Sequence, residues 1–286
     1  MLGRITVALF FLLLIWGNLV AGMKAGMACP DWPLCQGRLL PPFRLDIWME
    51  FMHRVIAATA TVFLLALGYV RFRSYHGAAK AVPLAAVGLV AAEIVIGGFA
   101  VLLELPLQLT TIHFVTGLLV FISVLYMAAF DGEKEPAGFS LKGYALLFFG
   151  LGALIFSQAA LGAYVRHAQA GLACPDFPTC LGHWLPPLLD GPMRIHFSHR
   201  LLAYLILITT AILYIAALMD ERLRRQRKPA LFLVITGILQ IGVGAGVVQS
   251  GLNFAATALH LAVALAMLSA LVWMWAREVI TISNQG

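Results

Sequence analysis

Charge is what this sequence has least of. Asp, Glu, Lys and Arg make up 11% of its 286 residues, less than half of the roughly 25% found in soluble globular domains. Hydrophobic residues make up 62%, which is more apolar surface than one water-soluble core can bury. The composition therefore predicts a membrane protein. The net charge of +6 does not indicate nucleic-acid binding, because the basic residues lie between apolar runs.

Two cysteine motifs are also missing. The chain contains no C-x-x-C-H sequence, which excludes a covalently attached c-type haem. Its four cysteines are not spaced as C-x-x-C either, so they do not match the usual ligand spacing of a structural zinc site. The cysteines must therefore serve another purpose.

Long apolar runs are abundant instead. A helix needs about 20 apolar residues to cross the ~30 Å hydrocarbon core of a bilayer. Runs of this kind occur eight times, at 5–23, 47–70, 81–103, 109–130, 143–165, 195–218, 230–249 and 254–276. The sequence therefore predicts an all-α integral membrane protein with eight transmembrane helices.

One stretch of the chain occurs twice. The sequence C-P-D-W-P-L-C at 29–35 is followed by E-F-M-H-R at 50–54. The sequence C-P-D-F-P-T-C at 174–180 is followed by H-F-S-H-R at 196–200. A loop that keeps its cysteines, prolines and His-Arg pair through a duplication is expected to build a site.

The two copies divide the chain into halves. Each half holds four predicted helices, an even number, so both enter the membrane in the same direction and form a parallel internal repeat of two tandem four-helix bundles. We expect halves at 1–131 and 140–286, joined by the polar link 131–138. Basic residues are densest at 222–228. The preference of Lys and Arg for the cytoplasmic side then predicts cytoplasmic termini, with both cysteine loops on the outer face of a bacterial cytoplasmic membrane.

The cysteines are expected to pair within each loop, as Cys29–Cys35 and Cys174–Cys180. Four cysteines allow three pairings, and the duplication favours this one because each copy keeps its own pair. The outer face is also where disulfides persist. Two roles stay open: a structural staple over the mouth of a pocket, or a redox-active pair that exchanges with an external thiol carrier.

Four of the eight histidines occupy matching places in the two halves. His53 and His113 lie about a turn inside the outer ends of the second and fourth predicted helices, and His199 and His260 do so in the sixth and eighth. These helices run in the same direction, so the two imidazoles of each half should lie at equal depth. Such an arrangement suits a haem with two axial histidines. The alternative for any one histidine is a hydrogen bond to a neighbouring helix.

Arg54 and Arg200 each follow a candidate ligand histidine directly. The guanidinium group pairs well with carboxylates, so both arginines are candidates to contact haem propionates. Snorkelling of the long side chain to the membrane interface is the alternative.

The halves differ at one conspicuous position. Glu50 stands three residues before His53 on the same helix face, whereas the second half has His196 there. An acidic residue in or near a membrane is costly and indicates function. Here it would exchange protons or stabilise positive charge beside the pocket. The alternative is a structural ion pair with Arg54.

Two further matches are interpreted as packing. Glu93 corresponds to Gln240, which indicates interhelical hydrogen bonding rather than catalysis. The small residues Gly97-Gly98 in one half and Gly244-Ala245 in the other let helix backbones approach closely.

Together these residues resemble the haem A synthases over essentially the whole chain. The resemblance rests on eight helices in two halves, the C-P-D-W-P-L-C loop, the E-x-x-H-R start at 50–54, and the histidines of the later helices. It implies an oxidoreductase that oxidises a ring methyl group of haem O to the formyl group of haem A, for use in terminal cytochrome oxidases. The second cysteine pair is not expected in every member of this family.

The resemblance also implies a division of roles between the halves. In the first half, His53 and His113 would be axial ligands of the substrate haem, and Glu50 would be the catalytic residue. In the second half, His199 and His260 would be axial ligands of a haem b cofactor.

Two other functions compete with this one. A diheme b-type electron-transfer cytochrome fits the same helices and histidines, but Glu50 and the unequal halves favour an enzyme. A transporter with a histidine proton relay is disfavoured, because neither half shows a helix broken near the midplane. Expected partners are haem O, membrane lipid, a haem O synthase and an electron carrier, with no nucleic acid. The sequence leaves a homo-oligomer open.

Overall fold

Helices make up most of the protein. The computed structural model describes residues 1–132, 137–186 and 190–283. Its α-helices are α1 Leu2–Gly22, α2 Leu45–Ser74, α3 Ala81–Leu102, α4 Leu107–Ala129, α5 Tyr144–His167, α6 Gly191–Met219, α7 Arg227–Gln249 and α8 Phe254–Ser283. Across these described ranges, eight helices are long and apolar enough to cross a membrane. The predicted all-α integral membrane architecture is confirmed.

Several helices extend beyond the apolar runs that predicted them. An apolar run marks only the part of a helix inside the hydrocarbon layer, whereas backbone hydrogen bonding continues into the polar interface. The last turn of α2 carries Arg71 and Arg73, where cations interact favourably with the carboxyl end of the helix. Arg71 also donates hydrogen bonds to the carbonyl oxygens of Met127 at 2.8 Å and Asp131 at 2.9 Å. The helix is therefore secured outside the run.

The chain forms two compact units. Residues 1–140, together with the end of α8 from Ala276, form unit 1, and Leu141–Trp275 form unit 2. In unit 1, α1 packs on α2 and α4, and α3 packs on α2 and α4. In unit 2, α6 packs on α5 and α7. Residues 133–136 of the predicted polar link lie outside the described residues.

Burial separates the two kinds of helix surface. Large apolar side chains such as Val62, Ile212 and Ile238 are more than half exposed, as expected for surfaces that face lipid. The buried polar or charged side chains of the described residues are few: Thr6, Glu50, Thr116, His196, Arg200, Thr210, Gln226 and Thr236. Buried polar groups need hydrogen-bond partners. Three of the buried residues, Glu50, His196 and Arg200, lie next to the cysteine loops.

Candidate functional site

Each cysteine loop is closed by its own disulfide. Cys29 bonds to Cys35 and Cys174 bonds to Cys180, which confirms the predicted pairing. All four residues are buried. In the first loop the disulfide packs on Ile47, at the start of α2. The loop is thereby joined to the helix that carries Glu50 and the first histidine.

An aspartate organises the turn inside each loop. Asp31 accepts hydrogen bonds from the backbone N–H groups of Gln36 at 2.5 Å and Gly37 at 2.8 Å. Asp176 accepts corresponding bonds from the backbone of residues 181–182. The N–H of Gly37 contributes most to holding the pKa of Asp31 below its ordinary value of 3.8. The loop aspartates are therefore ionised at neutral pH.

Arg54 holds the first loop from the side of α2. Its Nη1 donates to the carbonyl oxygens of Asp31 at 2.8 Å and Leu34 at 2.5 Å, and its Nη2 donates to that of Cys29 at 2.8 Å. These carbonyls lie within or at the edge of the disulfide-closed ring. One side chain thus fixes the loop above the helix.

Arg200 does the same in the second loop. It donates to the carbonyl oxygens of Asp176 at 2.8 Å, Thr179 at 2.7 Å and Cys174 at 2.6 Å. A guanidinium group has five N–H donors, and the loop takes three of them in each half. Holding the loop is therefore a clear role of both arginines, and their contact with propionates stays a prediction.

Positions 50 and 196 meet these arginines with different chemistry. Glu50 is 5% exposed, and its Oε1 lies 3.3 Å from Nε of Arg54. His196 is equally buried. Its Nε2 accepts a hydrogen bond from Nε of Arg200 at 3.3 Å, and its Nδ1 accepts one from the backbone N–H of Cys174 at 3.3 Å. Only unit 1 therefore has a buried carboxylate at this position.

All four predicted ligand histidines rest against glycines of the preceding helix. A Cβ atom added at such a glycine would lie 3.0 Å or less from Cε1 of the imidazole, closer than carbon atoms normally approach. The pairs are Gly17 with His53, Gly97 with His113, Gly162 with His199, and Gly244 with His260. We call these four glycines the imidazole seats. Each seat gives one ring a close, flat backbone surface and so restricts its position.

The two histidines of unit 2 are spaced to share one metal ion. The ring centroids of His199 and His260 are 6.3 Å apart. An imidazole nitrogen lies about 2 Å from a metal ion that it binds, so two rings on opposite sides of one ion have centroids roughly 6 Å apart. The spacing therefore fits bis-histidine ligation of a haem iron.

The alternative of simple interhelical hydrogen bonding fits less well. The Nδ1 atoms of all four histidines are buried and make no hydrogen bond with the described residues. His199 does have a polar neighbour, since Nε2 of Gln158 lies 3.4 Å from its Nε2. The bond of that amide to the carbonyl oxygen of His199 is shorter, at 2.9 Å. Aligned hydrogen bonds from Nδ1 thus do not account for the placement of the four rings, although the carboxylate of Glu93 lies 3.1 Å from Nδ1 of His113.

Glu93 lies closer to a predicted ligand than its sequence interpretation suggested. Its Oε1 is 3.1 Å from Nδ1 of His113, so the residue does connect two helices. It does so at a predicted ligand histidine, which the comparison with Gln240 did not reveal. No sequence signal indicated this contact, because only the structure shows that Gly97, one turn after Glu93, lies against the ring of His113.

The first cysteine loop reaches the same part of α3. The indole of Trp32 lies against Gly98, where an added Cβ would be 3.0 Å from two ring carbons. In the second half the corresponding residues are Phe177 and Ala245. The second half thus combines a smaller ring, Phe177 instead of Trp32, with a larger helix residue, Ala245 instead of Gly98. Gly97, Gly98 and Gly244 were interpreted as packing residues from sequence, because a glycine does not reveal what it faces.

Comparison with known proteins gives a consistent result. A family model named COX15-CtaA, cytochrome oxidase assembly protein, matches residues 42–272. A protein of Halalkalibacterium halodurans named heme A synthase is 29% identical over 270 residues, which cover 90% of this chain and 89% of that protein. Proteins of the same name from Symbiobacterium thermophilum and Bacillus licheniformis are each 31% identical. They cover 88% and 91% of this chain and 86% and 89% of their own lengths, respectively.

Proposed function

We infer that this chain, which belongs to the COX15-CtaA family of cytochrome oxidase assembly proteins, is a haem A synthase. The match covers most of the chain, and relatives named heme A synthase are about equally long. The protein is thus an integral membrane oxidoreductase of haem A biosynthesis. It oxidises a ring methyl group of haem O to the formyl group of haem A.

We assign the substrate haem to His53 and His113 of unit 1. Both rings rest on imidazole seats, and imidazole suits iron as a ligand. The observation that carries this choice is the buried carboxylate of Glu50, which lies three residues before His53 on the same helix and contacts Arg54 at 3.3 Å. Unit 2 has His196 in its place, and that ring contacts the loop and its arginine instead.

The haem b cofactor is assigned to His199 and His260 of unit 2. Their ring spacing fits one shared iron. A haem in this site would supply one-electron redox chemistry. Gly162 and Gly244 would hold the two rings in place, and the Cys174–Cys180 disulfide closes the loop of this half. His196 stands here at the position of Glu50, so this half has no acid there.

The proposed role of Glu50 is to manage charge and protons beside the substrate. Conversion of a methyl group to a formyl group breaks C–H bonds and introduces one oxygen atom, so protons must leave the site, and a buried carboxylate can accept them. Oε1 of Glu50 forms an ion pair with Nε of Arg54, and that contact keeps the carboxylate oriented. The three bonds of Arg54 to the loop carbonyls in turn hold the guanidinium in position.

Arg54 and Arg200 remain candidates for the propionates. Each also donates through Nε, to Glu50 and His196 respectively. With three donors on loop carbonyls, one N–H of Nη2 is left over in each half. We propose that this single N–H meets a propionate oxygen, and that the loop bonds are what fix its direction.

The membrane arrangement proposed from the basic residues has both termini in the cytoplasm and both cysteine loops outside. Haem O synthase and an electron carrier are the expected partners. A homo-oligomer is compatible with this arrangement.

Conversion of haem O decides between the enzyme and an electron-transfer cytochrome. The protein is expressed in cells that supply haem O, and the haems are then extracted and separated by chromatography. Haem A, or a hydroxylated derivative of haem O, is expected only when the chain is present. A purified protein with two bound haems that yields neither product would instead be the diheme cytochrome.

A further inference from the structure

Unit 1 holds a second acid next to its iron-ligand pair. Oε1 of Glu93, on α3, lies 3.1 Å from Nδ1 of His113, on α4. The other oxygen, Oε2, is buried and has no hydrogen-bond partner among the described residues. The separation is that of an ion pair, although the ring nitrogen is not aligned for a hydrogen bond to the carboxylate. At this separation the carboxylate still attracts a proton on Nδ1 electrostatically.

A glycine makes room for this carboxylate. Gly117 lies one turn after His113 on α4, and a Cβ atom added there would be 3.0 Å from Oε1 of Glu93. A residue larger than glycine would therefore crowd the carboxylate. The contact is therefore built from both helices rather than from the reach of one flexible side chain.

The second half lacks both parts of this arrangement. Residues 93, 97, 113 and 117 correspond to 240, 244, 260 and 264, with one constant offset in numbering. Gln240 replaces the acid and Ala264 replaces the glycine. Oε1 of Gln240 is buried without a hydrogen-bond partner in the described structure, and so is Nδ1 of His260. The carboxylate–imidazole contact is thus specific to unit 1.

We propose that Glu93 is a positioning residue that orients His113 and makes it a stronger electron donor to the haem iron of unit 1. The proposal rests on the function proposed above, because it takes His113 to be an iron ligand. A ligand imidazole that donates its other N–H to a carboxylate is fixed in orientation and becomes more basic. Ligand basicity and hydrogen bonding to the ligand are among the means by which proteins set haem potentials.

The expected consequence is a difference in reduction potential between the two haems. An electron-rich His113 stabilises the ferric state, so the haem of unit 1 should have a lower potential than it would with a neutral partner. The haem of unit 2 has only the amide of Gln240 at that place. Lower potential suits the site from which electrons are removed during oxidation of a bound substrate.

The test exchanges the two side chains. Glu93→Gln should raise the midpoint potential of the unit 1 haem by about 59 mV, which corresponds to a tenfold change for a one-electron couple. The low-temperature EPR g-values of that haem should change with it, and the unit 2 haem should not move. Gln240→Glu should have the opposite effect and lower the midpoint potential of the unit 2 haem. Each signal is assigned by its loss in His113→Ala or His260→Ala, with the same haem type in every sample.

Two glycine variants provide a matched comparison. Gly117→Ala should displace the carboxylate and reproduce part of the Glu93→Gln shift. Gly88→Ala, also in unit 1 and with nothing within 4 Å of the added Cβ, should leave the potential unchanged. These variants separate an effect at the ligand from a general effect on helix packing.

The outcomes are distinct. If Glu93→Gln keeps its unit 1 haem and the potential and g-values of that haem do not change, the proposed role of Glu93 is overturned. The proposed function as a haem A synthase would still stand. If Glu93→Gln loses the haem, Gln240→Glu decides, and no shift in the unit 2 haem would overturn the proposal. Wild-type protein without haem at His53 and His113 would instead contradict the proposed function.

Discussion

In unit 1 the residue that faces the loop arginine is Glu50, and in unit 2 it is His196. Both are 5% exposed, and both lie 3.3 Å from the guanidinium Nε. The histidine also contacts the loop backbone at 3.3 Å. The same fold position therefore carries an ionisable acid in one half and a ring that joins loop and arginine in the other.

A second difference points the same way. Unit 1 has Glu93 against His113, a predicted ligand, whereas unit 2 has Gln240 at the position of Glu93. The loops, disulfides, arginines and imidazole seats are common to both halves. The shared residues thus give the two pairs of histidines similar surroundings, and the differing residues place both acids, Glu50 and Glu93, in unit 1.

Loss of a ligand histidine should have the largest effect. His199→Ala or His260→Ala should remove one haem per protein and its b-type spectrum, because the remaining imidazole cannot replace the second axial bond. Haem content per protein, measured as the pyridine haemochrome, checks this. His183→Ala, in the exposed part of the second loop, is the control. Full haem content in both ligand variants would contradict the assignment of unit 2.

Removal of the Glu50 carboxylate should abolish most conversion while the haems stay bound. Glu50→Gln keeps the shape and one acceptor for Arg54, so we expect conversion of haem O to fall by roughly 10²- to 10⁴-fold, the usual contribution of a general acid or base. Chromatography of extracted haems measures the loss. Glu104→Gln, an exposed acid of the same unit, should behave as wild type. Loss of bound haem in Glu50→Gln would make Glu50 structural instead.

A methyl group in an imidazole seat should have an intermediate effect. In Gly97→Ala the new Cβ would lie 2.8 Å from Cε1 of His113, so the ring must move. We expect about tenfold weaker haem retention in unit 1, in the range found when groups that orient metal ligands are lost. Gly88→Ala, on the same helix in open space, is the control. Equal haem retention in the two variants would show that the seat is not needed.

Removal of the first disulfide should have the smallest effect. Replacing Cys29 and Cys35 by Ser opens a short loop, which costs about 2 kcal/mol by the chain-entropy relation. Arg54 still holds the loop carbonyls, so conversion should stay within a few-fold of wild type. Thermal unfolding and haem extraction measure the two quantities. A collapse of conversion with unchanged stability and haem content would instead indicate thiol exchange at this pair.

Much of the architecture was predictable because it depends on local sequence. A helix in lipid satisfies its own backbone groups, so an apolar run is sufficient to predict a transmembrane segment such as α3 or α7. A six-residue cysteine spacing brings its two ends together without help from the rest of the chain. The eight helices and the pairing of Cys29 with Cys35 follow from such local properties.

The surroundings of the site were less predictable. Arg54 was expected to face propionates, yet three of its donors bind loop carbonyls. The carbonyls lie about twenty residues earlier, and nothing in the spacing indicates that the loop folds back over α2. Glu93 was expected to form an interhelical hydrogen bond, and only the structure identifies His113 as the residue it meets.

The sequence by itself therefore determined the eight transmembrane helices, the disulfide in each cysteine loop and the matching positions of four histidines in the two halves. It also showed that Glu50 belongs to one half alone. The tertiary structure decided which glycine each imidazole rests on, what each arginine holds, and that a second acid lies beside His113. The physical reason is that hydropathy and spacing are properties of one segment. A contact between two helices depends on their rotation and register, which are set when the helices pack together.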